Sequence, residues 1–173
     1  MIRNIILSAI CGAAICTVPV WAQSGPVSKS DQVFLNMAAE ADMTTAHLGQ
    51  MAEDRSASNG VKVFGKKLTE DHTLDYSQLN ALAGKAGETV PKGINTQDNR
   101  QIARLDKYKG KSFDRAFLSQ EKVEHEKLVQ AFKREAERGD NADIKAYASK
   151  TLPVIEGHLH EAQDLLKPGK HNG

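Results

Sequence analysis

Beyond residue 22 the chain has no cysteine, because Cys11 and Cys16 both lie near its start. Without the leading segment it can form no disulfide and has no thiolate to act as nucleophile or metal ligand, so its fold must rest on packing. Charge of one sign is also missing. Arg3 is the single charged side chain of the first 22 residues, and residues 23–173 carry 22 basic and 22 acidic side chains. That balance gives no pointer to nucleic acid, and none is expected as a partner. Several catalytic signatures are absent as well. No Gly-rich phosphate loop follows a strand, no haem-attaching Cys-x-x-Cys-His occurs, and no Ser-His-Asp set lies on a strand-to-helix turn.

What is present begins with "MIRNIILSAICGAAICTVPVWA", residues 1–22. One basic residue, an apolar run from Ile5 to Val20 and the small-x-small close Val20-Trp21-Ala22 describe a signal peptide, with Gln23 as the new N-terminus. The run is short for a bilayer span, which needs about 20 apolar residues. Each cysteine follows an isoleucine rather than the small residue a lipoprotein signal wants. The expectation is therefore export to the periplasm or outer envelope of a bacterium, with no transmembrane segment after cleavage.

The later sequence has no internal repeat but holds four amphipathic stretches. After a disordered lead (23–30), Ser30 or Asp31 can cap a helix with the stripe Phe34, Met37, Ala41, Leu48 and Met51, ending near Arg55. A second helix comes after "SASNG" with Val61, Phe64, Leu68, His72, Leu79 and Leu82 on one face, broken at Gly84 to Gly87. A third starts behind Ser112 and turns Phe117, Leu118, Glu121, His125, Leu128 and Phe132 inward. Asp140 caps a fourth with Ile144, Ala148, Ile155, His158, Ala162 and Leu165 inward, before Pro168 and a disordered tail (167–173). Four amphipathic helices of about 25 residues predict an all-α four-helix bundle over residues 31–166. Between the second and third lies a linker, Lys85 to Lys111, with a short helix expected around Ile102 and Leu105. Bundle loops usually take two to eight residues, so this length predicts a crossover along the whole bundle.

Helical wheels at 100° per residue bring polar groups onto the apolar stripes: Thr45, His72, Asp75, Glu121, His125 and His158. With the crossover, Thr45 and the three histidines fall within roughly 6 Å of one depth. Three imidazoles plus the Glu121 carboxylate supply the donors that a divalent Zn, Mn or Fe site uses, while Thr45, Asp71 and Asp75 would surround them. The same groups could instead hydrogen-bond to one another and fix helix register, in a purely structural, interaction or stress-related bundle.

The stretches "VKVFGKKLTEDH" (61–72), "FDRAFLSQEKVEH" (113–125) and "LPVIEGHLHEAQDL" (152–165) carry Asp71-His72, Phe113-Asp114 and His158-Leu159. In these pairs and their spacing, residues 31 to 166 resemble the DUF4142 family of exported bacterial proteins. The resemblance implies a ferritin-like four-helix bundle in the envelope, with no established activity. Members typically have a glutamate just ahead of an LGxxA stretch, where "TTAHLGQMA" has Thr45, with His47 two residues on. The inner layer is therefore expected to lack a carboxylate on helix one. Di-iron carboxylate enzymes of this architecture use Glu-x-x-His, which occurs nowhere in this chain. With no cleft evident in such a core either, enzyme activity is not the expectation.

Two further features complete the sequence. Met43, His47 and Met51, at i, i+4 and i+8, form a soft donor set suited to Cu(I), or else a half-covered helix edge in which methionine fills gaps. The linker has seven basic residues against three acidic, suited to weak contact with an anionic envelope surface or simply to a solvated face.

Overall fold

The computed structural model describes residues 25–167. The expected signal peptide and its cleavage site, Pro168 and nearly all of the tail lie outside them. Among the described residues are five helices and no strand: α1 (Lys29–Arg55), α2 (Asn59–Lys85), α3 (Thr96–Leu105), α4 (Gly110–Arg138) and α5 (Ala142–Leu166). Helices α1, α2, α4 and α5 are the four expected, and α3 is the short linker helix. No described helix is long and apolar enough to cross a membrane.

Local chemistry sets the ends, in three cases a residue or two away from where the sequence suggested. Ser28 caps α1, ahead of Ser30 and Asp31, because Asp31 at the third helical position returns the bond. Ser28 Oγ accepts from Asp31 N, and Asp31 Oδ2 accepts from Ser28 N. The helix thus starts inside the segment expected as a disordered lead. Asn141, not Asp140, caps α5, its Oδ1 accepting from the Asp143 and Ile144 amides. Helix α4 begins at Gly110, two residues before Ser112. At the end of α2, Gly87 adopts φ +80°, and Glu88 N donates to Ala83 O across it, a closure that suits glycine.

The crossover is present. Helices α1 and α2 form an antiparallel hairpin, as do α4 and α5. The α4–α5 turn meets the start of α1, where Asp140 N and Asn141 N donate to Asp31. The start of α4 meets the α1–α2 turn, where Ala57 N donates to Asp114 Oδ1. Helix α4 is therefore antiparallel to α1 and parallel to α2. The linker runs back along α1, tied by Gln32 to Thr89 O, Thr44 to Asp98 and Arg55 to Asp106. Residues 86–109 span the bundle in this way, the connectivity with one long crossover that ferritin-like bundles use.

Two apolar clusters fill the interior. One gathers Phe34, Leu35, Leu79, Phe132, Ile144 and Ile155. The other gathers Leu48, Phe64, Leu68, Phe113, Phe117 and Leu118. Between α1 and α2 the backbones nearly touch: a Cβ on Gly49 would lie 2.5 Å from Gly65 O, so neither glycine can be enlarged without moving a helix. His72 falls between Leu68 and Leu79 in sequence, and thus between the two clusters in space.

Candidate metal centre

One turn from each of α2, α4 and α5 contributes an imidazole to this middle layer. His72, His125 and His158 are 1%, 0% and 1% exposed. Their ring centroids form a nearly equilateral triangle with sides of 5.5, 5.3 and 5.4 Å. A ring nitrogen of each lies within 4.8 Å of the others'. A tetrahedral ion binding at about 2.0–2.1 Å would hold such nitrogens about 3.3 Å apart, so the rings would have to draw inward to close on one.

The outer nitrogens determine which inner ones are free. His72 Nδ1 donates to Asp42 Oδ1 at 2.8 Å, His125 Nδ1 to the Glu121 carbonyl at 2.9 Å, and His158 Nε2 to Asp71 Oδ2 at 2.8 Å. In a neutral ring the other nitrogen then carries a lone pair. Those atoms, His72 Nε2, His125 Nε2 and His158 Nδ1, are buried and have no partner among the protein's groups. Metal-ligating histidines are generally held this way, by a carboxylate or carbonyl behind the ring that fixes tautomer and orientation. Burial, above all, keeps the rings neutral. It lowers His72 to about 4, His125 to about 3 and His158 to about 4, with the neighbouring imidazoles lowering the last two further.

Glu121, fully buried, lies beside His125 with Oε2 3.4 Å from Nδ1, and neither carboxyl oxygen has a hydrogen-bond partner. Burial, reinforced by Glu124, raises it to about 8. It is a neutral acid at pH 7 that an adjacent cation would convert to a carboxylate.

Asp42 overturns the expectation that helix one brings no carboxylate. It is 2% exposed, and desolvation, with the charge of Asp75, raises it well above the usual carboxylate range. Of the expected stripe Phe34, Leu48 and Met51 are buried while Met37 and Ala41 lie on the flank, and the buried face extends past it to one side. Leu35, Ala38, Asp42, Thr45, Gly49 and Ala52, spaced by three and four, all point inward. These are mostly small residues, and small residues mark where α1 lies closest to α2. That row is the signal by which Asp42 could have been found.

The remaining candidates divide. Asp71 is the half-buried support of His158. Asp75 sits one layer over, accepting from Tyr147 Oη at 2.7 Å and Thr151 Oγ1 at 3.4 Å. Thr45 is buried and lines a cavity of about 260 Å³ among α1, α3 and α4. Of the soft set, Met51 is in the core, Met43 is half-buried and His47 is exposed. A second cavity, about 140 Å³, opens between α2 and α5 onto His72 and His158, so the core does have a cleft.

The model of the family described as "Domain of unknown function (DUF4142)" matches residues 17–165. Among solved structures, a DUF305 fragment from Deinococcus radiodurans is similar at TM-score 0.72 and 15% identity, covering 82% of this chain and 98% of that one. A DUF305 protein from Streptomyces coelicolor is similar at TM-score 0.67 and 15% identity, covering 79% and 91%. At that identity the likeness shows the fold alone. No curated protein matches.

Proposed function

The chain belongs to the DUF4142 family, and on that footing we propose that it is an exported bundle that binds one divalent transition-metal ion through His72, His125 and His158, with the buried Glu121 carboxyl, which lies behind the His125 ring, as a counter-charge rather than a member of the three-nitrogen set. One observation carries this reading: three neutral imidazoles, each tethered at one nitrogen and unpartnered at the other, bring a ring nitrogen apiece to within 4.8 Å of one another. A layer that served only to fix register would be expected to pair its own polar atoms, since a buried unsatisfied group costs about 1–3 kcal/mol. Instead six of the nine buried side-chain atoms without a partner among the described residues belong to Asp42, His72, Glu121, His125 and His158. Imidazole with carboxylate suits Zn, Fe or Mn. The segment 1–22 supports delivery to the envelope.

Phe113-Asp114, the family pair remote from the histidines, has a separate task. Phe113 stacks on Phe117, and Asp114 ties down the α1–α2 turn.

The test is elemental analysis of untagged protein purified from the envelope fraction. About one ion per chain is expected in the wild type, and background metal in a His125→Ala variant that keeps its helical circular dichroism. Wild type that carries no ion and takes up neither Zn nor Co(II) on titration would leave the histidines as register-setting core residues.

A further inference from the structure

Metal sites enclosed by the fold hold their ion for the life of the protein, whereas sites that meet solvent exchange it. The histidine layer is closed on most sides and open on one. His72 and His158 line the cavity of about 140 Å³ between α2 and α5, together with Asp71, Asp75, Thr151 and Val154. The unpartnered His72 Nε2 and His158 Nδ1 therefore belong to rings that border open space. The 260 Å³ cavity on the opposite side of the bundle is lined by none of the three histidines.

The supports of the rings show the same asymmetry. The Asp42 side chain behind His72 is 3% exposed, and the acceptor behind His125 is a carbonyl inside α4. His158 alone is held from the solvent side, by an Asp71 side chain that is 38% exposed. The cleft wall carries two carboxylates, Asp71 and Asp75, against the single ammonium of Lys150. That balance draws cations in. Two exposed apolar residues, Leu74 and Val154, flank the mouth.

We propose that the ion is exchangeable cargo, entering and leaving the histidines through the cleft between α2 and α5, past Asp71 and Asp75. The proposal rests on the metal-binding reading above. It makes the protein a carrier or buffer of divalent cations rather than a bundle cemented by a permanent ion.

The experiment tracks Co(II) uptake by stopped-flow absorbance, and Co(II) release to excess chelator, in the full mature chain. Val154→Trp and Leu74→Trp place an indole over the mouth at exposed positions where folding is not at stake. A shared route requires uptake and release to slow by the same factor, about tenfold or more, with Kd unchanged. Gln97→Trp, at the rim of the opposite cavity, should leave both rates as in wild type. Asp75→Asn should slow uptake most at low salt, the difference shrinking as salt screens it. Wild-type rates in both mouth variants, or slowing by Gln97→Trp alone, would overturn the route while binding itself stands. A wild type that takes up no Co(II) would instead overturn the binding reading, and the route with it.

Discussion

Asp31 and Glu121 are both carboxylic acids at 0% exposure in the same bundle, yet their surroundings are opposite. At the end of the bundle Asp31 accepts from the backbone amides of Ser28, Asp140 and Asn141 at 2.9, 3.0 and 3.1 Å. Burial pushes its pKa up, but the bonds from the Ser28 and Asp140 amides, with those from Glu135 and the Ser28 hydroxyl, outweigh it and leave the group below its ordinary value. In the middle layer Glu121 accepts nothing, and burial raises it to about 8. One carboxylate locks the start of α1 to the α4–α5 turn. The other is kept waiting. A fully bonded polar group stabilises the fold, whereas one buried without partners destabilises it and points to a ligand.

Removing each group should therefore act in opposite directions. The largest effect belongs to Asp31→Ala, which orphans three amide donors at the junction of α1 with the α4–α5 turn. Chemical denaturation should show a loss on the order of 5 kcal/mol. A loss below about 1 kcal/mol would mean that the junction is held by something else.

Glu121→Gln should instead stabilise the metal-free protein. Folded Glu121 keeps its proton up to about pH 8, while the unfolded chain releases it near the ordinary 4.5. Between those values the folded state binds more protons, so this group makes wild-type stability fall as pH rises. Glutamine cannot ionise. The variant should match wild type near pH 4.5 and exceed it by about 4 kcal/mol at pH 8, in chelator-treated samples, while binding metal more weakly. A variant less stable than wild type at pH 8 would show that Glu121 has a partner in the folded protein.

Asp42→Ala tests the support behind a ligand rather than the ligand. Without its acceptor His72 loses its fixed tautomer, and Zn affinity measured by competition should fall about tenfold to a hundredfold. Affinity equal to wild type would reduce Asp42 to a bystander.

The contrast between these sites also separates what the sequence discloses from what it hides. Helix α4 is fully legible: Phe117, Leu118, Glu121, His125, Leu128 and Phe132 are all buried, because a helix packed by large side chains advertises its face. The 27 residues from Lys85 to Lys111 announce the crossover by length alone. Helix α1 is read only in part: Phe34, Leu48 and Met51 are buried as expected, but Met37 and Ala41 lie on the flank, and the small residues Ala38, Ala39, Gly49 and Ala52 on the neighbouring face, where Gly49 and Ala52 meet α2, are missed. Asp42 is lost with that face. The cleft is not legible at all, because a gap between α2 and α5 depends on how two helices splay, which periodicity does not encode.

The central claim is that the unpartnered atoms of the middle layer await a cation. Thermal unfolding of the metal-free mature protein, with and without a modest excess of Zn or Mn, tests it most directly, because a ligand bound only by the folded state raises the midpoint by mass action. The account predicts a midpoint that climbs with ion concentration in the wild type and does not move in His72→Leu. A wild-type midpoint unmoved by every divalent ion tried would contradict it.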